Sequence, residues 1–251
     1  MKKLIFFWLS AFVLLHPSPA PAEDFQVAVA ANFTNAATEI AALFEKETGD
    51  KPVLSFGSTG NFKTQILNGA PFAVLLAADA ATPEALEKDG QTVSGTRFTY
   101  ARGALALWSA KEGYVDAEAA ALKNNEFKFI AMANPDLAPY GRAAREYLES
   151  LGLLSGLEKK IVTGNNITDA YNSARSGNAD LGFVAWSQVC KGGELTEGSV
   201  YLVPQASYAP INQDAVLLKA GADSKPARAF LEFLKGDASK AIIKNYCYSL
   251  P

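Results

Sequence analysis

Short apolar runs alternate along this chain with stretches of helical spacing. Val27 to Ala31 is apolar and β-branched, which predicts a buried strand. The capping residues of Asn32-Phe33-Thr34-Asn35 follow, and then Ala36, Ala37, Ile40, Leu43 and Phe44 recur at threes and fours until Gly49 can end the helix. Lys51 to Phe56 predicts a second strand, and the turn Gly57-Ser58-Thr59-Gly60 leads into a helix with Phe62, Ile66 and Leu67 on its core face. Residues 72–79 (FAVLLAAD) predict a third strand, and Thr82-Pro83-Glu84 a helix start with cap, proline and acidic first turn.

After a pause near Arg102-Gly103 the alternation resumes. Strands are predicted over 104–108, 127–131, 160–162, 180–186, 201–204 and 214–219. Helices are predicted through Ala144, Tyr147, Leu148 and Leu151, from Asn165-Asn166-Ile167-Thr168-Asp169 toward Ser176, and through Phe230, Leu231, Leu234, Ile242 and Ile243. Strand–helix alternation of this kind means parallel-rich α/β sheets, and the two series suggest two lobes facing each other. A strand that delivers a polar turn onto a helix start leaves free N–H groups at the carboxyl edge of its sheet. Such corners recur at Asn32, Ser58/Thr59, Tyr140/Gly141 and Asn166/Ile167, and each can receive an anion.

The first residues carry a different message. Lys2 and Lys3 precede the apolar run Leu4–Leu15, and Ala20-Pro21-Ala22 has the small-x-small form of a signal-peptidase site. Residues 1–22 are expected to be an export signal cleaved after about Ala22, leaving a periplasmic protein. Losing Lys2 and Lys3 turns the formal charge of −3 into about −5, and no basic tract suggests nucleic acid as a partner. The one histidine, His16, lies inside the signal. The exported chain thus excludes Ser-His-Asp and Cys-His catalysis and histidine-ligated metal sites. Two cysteines remain, Cys190 and Cys247; a disulfide and two free thiols are both open.

Five segments, AVAANFTNA, SFGSTGNFKTQILNGAPF, ANPDLAPYGRAAREYL, GFVAWSQV and YAPINQDAVLLK, occur in one order across the exported chain. In them the chain resembles the periplasmic molybdate-binding proteins, the substrate-binding components of ATP-binding-cassette molybdate importers. The resemblance implies a two-lobed type II periplasmic binding fold with a ligand cleft between the lobes, residues 23–103 with 206–251 forming one lobe and 104–205 the other. It implies a monomer that binds molybdate, and tungstate as well, through neutral donors, with no cofactor, no direct cation ligand and a membrane permease as partner. The donors it implies are Asn32, Ser58, Thr59, Tyr140 through its backbone, and Ile167 through its backbone. Ala185 stands where some members place a tyrosine hydroxyl, a contact the Tyr140 phenol could replace. Ala73, Ala77 and Cys247-Tyr248 also depart from the family pattern, and are expected to lie away from the ligand.

The residues alone leave two other functions open. The same fold would serve another oxyanion such as sulfate or thiosulfate. An exported α/β hydrolase would use Ser58 or Thr59 as nucleophile with Lys63 as the nearest base, at a spacing with no recognised catalytic precedent. Lys63 and Arg142, just inside two of the helices, are expected to be solvated surface charges.

Overall fold

The computed structural model describes residues 23–251; the expected export signal and its cleavage after Ala22 lie outside the described residues. The chain opens with β1 (Asp24–Ala30), a short 3₁₀ turn (Ala31–Phe33) and α1 (Thr34–Thr48). β2 (Lys51–Gly57), α2 (Thr59–Leu67), β3 (Val74–Leu76), α3 (Ala81–Lys88) and β4 (Phe98–Gly103) complete this series. Gly49 ends α1 in the left-handed conformation at φ 83°, as its position predicts. The second series is β5 (Leu105–Ser109), α4 (Ala120–Lys123), β6 (Ile130–Ala133), α5 (Pro139–Ser150), α6 (Leu154–Leu157), β7 (Ile161–Gly164), α7 (Ile167–Arg175) and β8 (Leu181–Ala185). It continues through α8 (Trp186–Val189), the small ribbon β9 (Cys190–Lys191) and β10 (Glu194–Leu195), and β11 (Ser199–Leu202). The chain then returns as β12 (Ile211–Leu217), α9 (Lys225–Leu234) and α10 (Asp237–Asn245).

Two five-stranded sheets result, one ordered β2-β1-β3-β12-β4 and the other β11-β5-β8-β6-β7. In the first, β1 lies parallel to β2 and β3, while β12 runs antiparallel to β3 and β4. In the second, β6 is parallel to β7 and β8, while β5 is antiparallel to β8 and β11. The antiparallel members are the strands nearest the crossings between sheets: β4 and β5 are separated by Ala104 alone, and β12 brings the chain back. Helices flank both sheets, giving a two-lobed α/β protein.

The first sheet buries Val27, Val29, Ile40, Phe44, Phe230 and Ile243 on one face, and Phe62, Leu75, Leu86 and Val216 on the other. The second packs Leu107, Ile130, Tyr147, Leu148 and Phe183 together, and this core reaches across to Ala30, Ala31 and Ala78 of the first lobe. Trp108, Ala174, Val184 and Val189 pack on the other face of the second sheet, so both faces of each sheet are covered and the strands read as continuous apolar runs. Leu67, expected in the core, is 46% exposed at the end of α2. It belongs to the helix's last turn, beyond the reach of the sheet.

Candidate functional site

Strand register sets the site. Ala30 pairs with Gly57 at the parallel ends of β1 and β2, so the Asn32 and Ser58 corners emerge side by side. Ala133 pairs with Gly164 at the parallel ends of β6 and β7, which does the same for the corners at Tyr140 and Ile167. The two carboxyl edges face each other across a small pocket between the lobes. Asn32, Ser58, Thr59, Tyr140 and Ile167 all line it, with Asn166 and small residues such as Ala30, Gly57 and Ala78 between them. No charged side chain is among the described residues that line it.

Each helix start keeps donors free. Ser58 caps α2 by accepting the Asn61 N–H at 3.4 Å, which leaves the Thr59 N–H without an intrahelical acceptor. Thr59 Oγ1 accepts the Ala78 N–H at 3.0 Å, so its own hydrogen is free to point elsewhere. Asn166 caps α7 by accepting from Thr168 and Asp169, sparing the Ile167 N–H at the first helical position. Tyr140 follows Pro139 at the start of α5, again within the first turn. Four helix starts converge, each bringing partial positive charge without a formal cation.

Other expectations change. The Asn32 amide does not face the cavity as a free donor: its Nδ2 donates to Gln213 Oε1 at 2.8 Å and to the Tyr248 hydroxyl at 3.0 Å. What Asn32 has left to offer is its backbone N–H, at the start of the 3₁₀ turn. The Tyr140 phenol is engaged by Gln213 Nε2 at 3.4 Å and lies against Gly103. Tyr248, expected away from the site, is buried against it. Its hydroxyl donates to the Asn32 carbonyl at 2.8 Å and accepts from Ser187 Oγ at 2.9 Å. Burial pushes the Tyr100, Tyr140 and Tyr248 phenols up, so all three keep their protons and serve as neutral hydrogen-bonding groups.

Cys190 and Cys247 form a disulfide, Cα to Cα 6.0 Å, which settles the open pairing. It joins the segment after β8 to the C-terminal tail that carries Tyr248. Arg142 is not simply a solvated charge; it forms an ion pair with Asp79 across the cleft. Further contacts span the lobes: Gly60 N–H donates to Leu137 O at 2.9 Å, and Thr168 Oγ1 to Ala31 O at 3.2 Å. The cleft is thus closed. Among the described residues no basic side chain is a hydrogen-bond partner of the Ser58 or Thr59 hydroxyl. Gln213 and Tyr248 are the site residues that sequence reasoning missed; the only signal was polar residues inside or beside apolar runs.

Comparison with known proteins places this geometry. A model of the bacterial extracellular solute-binding proteins matches residues 25–249. The molybdate-binding protein ModA of Azotobacter vinelandii is 54% identical over 231 residues, 92% of each chain. That of Rhodobacter capsulatus is 49% identical over 231 residues, 92% of this chain and 90% of its own. The solved structure of the Azotobacter vinelandii periplasmic molybdate-binding protein superposes with a TM-score of 0.87 at 42% identity, covering 90% of this chain and 99% of that one.

Proposed function

Since the chain belongs to the family of bacterial extracellular solute-binding proteins, and is close to its molybdate-binding members, we propose that it captures molybdate in the periplasm for the permease of an ATP-binding-cassette importer. The observation that carries this is a small pocket between the lobes lined by helix starts and hydroxyls, with no charged side chain among the described residues that line it. Molybdate is a dianion that presents only acceptor oxygens, so a cage of donors satisfies it. Each hydrogen bond to a charged group is worth about 1.5–3 kcal/mol, and several together offset the water it loses. Phosphate at neutral pH carries a proton that is best met by a carboxylate, and none is among the described residues that line the pocket. Sulfate is smaller and leaves longer bonds in a cage fitted to the larger ion; tungstate, of molybdate's size, binds as well.

The donors in this reading are the backbone N–H groups of Asn32, Thr59, Tyr140 and Ile167 with the hydroxyls of Ser58 and Thr59. In this reading the protein binds its ligand without turning it over, in keeping with relatives named as binding proteins. It acts as a monomer released from its signal after Ala22. The lobes divide after Gly103 and near Gln205, so the two crossings and the cavity move as a hinge and its cleft.

A titration of the exported protein with molybdate, tungstate, sulfate and phosphate tests the proposal. Trp186 precedes Ser187, which contacts the Asn32 carbonyl across the cleft at 3.3 Å, so closure should change its fluorescence. One-to-one binding of molybdate and tungstate, far tighter than sulfate or phosphate, is the expected result; tighter sulfate binding would change the ligand and keep the fold. Thr59→Ala should weaken molybdate binding by about 1–3 kcal/mol, the loss of one donor to a charged group. Calorimetry reads this directly, and unchanged affinity would remove the Thr59 hydroxyl from the cage.

A further inference from the structure

Gln213 is a fully buried amide on β12 that touches a donor corner on each side of the cleft. A bulge between Gln213 and Asp214 breaks the alternation of the strand, so both of these polar side chains face inward. Asp214 is satisfied by Arg97 and Thr99 at the outer end. Gln213 turns toward the site. Its Oε1 accepts from Asn32 Nδ2 at 2.8 Å and from the Tyr100 hydroxyl at 3.1 Å, while its Nε2 donates to the Tyr140 hydroxyl at 3.4 Å. The orientation is dictated, because a flipped amide would set its NH₂ against that of Asn32. Gly103 makes room for it: a Cβ there would lie 2.8 Å from Gln213 Nε2.

We propose that Gln213 is a positioning residue that sets the spacing between the Asn32 and Tyr140 corners, and through it the preference for a large over a small tetrahedral oxyanion. The inference rests on the oxyanion reading above. Gln213 touches no ligand donor atom itself; it braces the side chains whose backbone N–H groups line the cavity. A smaller ion needs the corners to draw together. That movement would distort the hydrogen bonds by which Gln213 holds the buried Asn32 amide and Tyr140 hydroxyl at a fixed separation. Without the brace the corners relax, the larger ion loses fit, and the smaller one does not.

The test measures molybdate and sulfate affinities of the exported protein, of Gln213→Met, which keeps the volume and removes the hydrogen bonds, and of Tyr140→Phe, which cuts one leg and keeps the backbone donor. Gln213→Met should lose about tenfold or more for molybdate and less than about threefold for sulfate, shrinking the ratio between them. Tyr140→Phe should shrink it by about threefold. Equal losses for both ions, or an unchanged ratio, would overturn the inference, since a merely structural role lowers both together. If Gln213→Met does not fold, Tyr140→Phe decides by the same criterion. A parent protein that binds neither molybdate nor tungstate is a separate result, and overturns the oxyanion reading along with this one.

Discussion

Replacing Cys190 and Cys247 together by serine is expected to lower the unfolding free energy by about 2–4 kcal/mol, with a drop in melting temperature of roughly 5–15 °C. The bridge closes a loop across a sequence separation of 57, long enough that releasing it gives the unfolded chain considerable freedom. The native neighbourhood explains why the loss does not exceed this. Gly192 N–H still donates to Asn245 O at 2.7 Å, and Ser249 still pairs with Arg102 at 2.8 and 3.1 Å, so the tail retains a docked position. The bridge is also a covalent link between the lobes beyond the two crossings. It holds Tyr248, the next residue, against the Asn32 carbonyl and amide. Molybdate binding should therefore weaken in the same variant. Calorimetric unfolding with and without molybdate reads both effects; a stability loss below about 1 kcal/mol would mean that the tail and not the bond orders this region.

The corners were legible because their chemistry is local. Ser58 and Asn166 stand one residue before a helix and act as its cap, a role that depends on residues two or three positions away. The Asn32 corner was legible as a place but not as a chemistry. Asn32 was expected to donate, with no choice between its amide and its backbone; the amide is claimed by Gln213 and Tyr248 from 181 and 216 residues away. β4 read as a pause because Phe98–Gly103 carries Thr99, Tyr100 and Arg102, and it is an edge strand that tolerates polar side chains. β12 begins at Ile211 rather than 214 for a related reason: Asn212 and Gln213 look like loop residues until the bulge and the buried network are known. The strand expected over 127–131 lies at Ile130–Ala133, since Phe127 packs into the core from the preceding turn. The antiparallel pairings and the disulfide depend on contacts between distant segments, and no local pattern encodes them.

Gly60→Val is expected to abolish tight molybdate binding, by about 100-fold or more, while leaving the unliganded protein as stable as the parent. Gly60 occupies the second position of α2, and its N–H donates to Leu137 O of the opposite lobe at 2.9 Å. A Cβ on Gly60 would sit 2.9 Å from that same oxygen and 3.0 Å from Leu137 Cα. Both obstacles are backbone, so no side chain can swing aside; the lobes themselves must part by several tenths of an ångström. The hydrogen bond across the cleft lengthens, and so does every ligand contact that spans it. Within its own lobe the substitution costs nothing comparable, because a glycine inside a helix is itself less favourable than other residues, by up to about 1 kcal/mol against alanine. Gly60→Ala, with the same Cβ but no branches, should show a smaller loss of about tenfold. The pair thus separates closure from folding, as Thr59→Ala, which removes a donor but leaves closure free, does not. Calorimetric titration with molybdate beside thermal unfolding of the empty protein measures both quantities. Parent-like affinity in Gly60→Val would mean that the ligand is held without this approach of Gly60 to Leu137, and the cage would then have to be assembled from one lobe's corners alone.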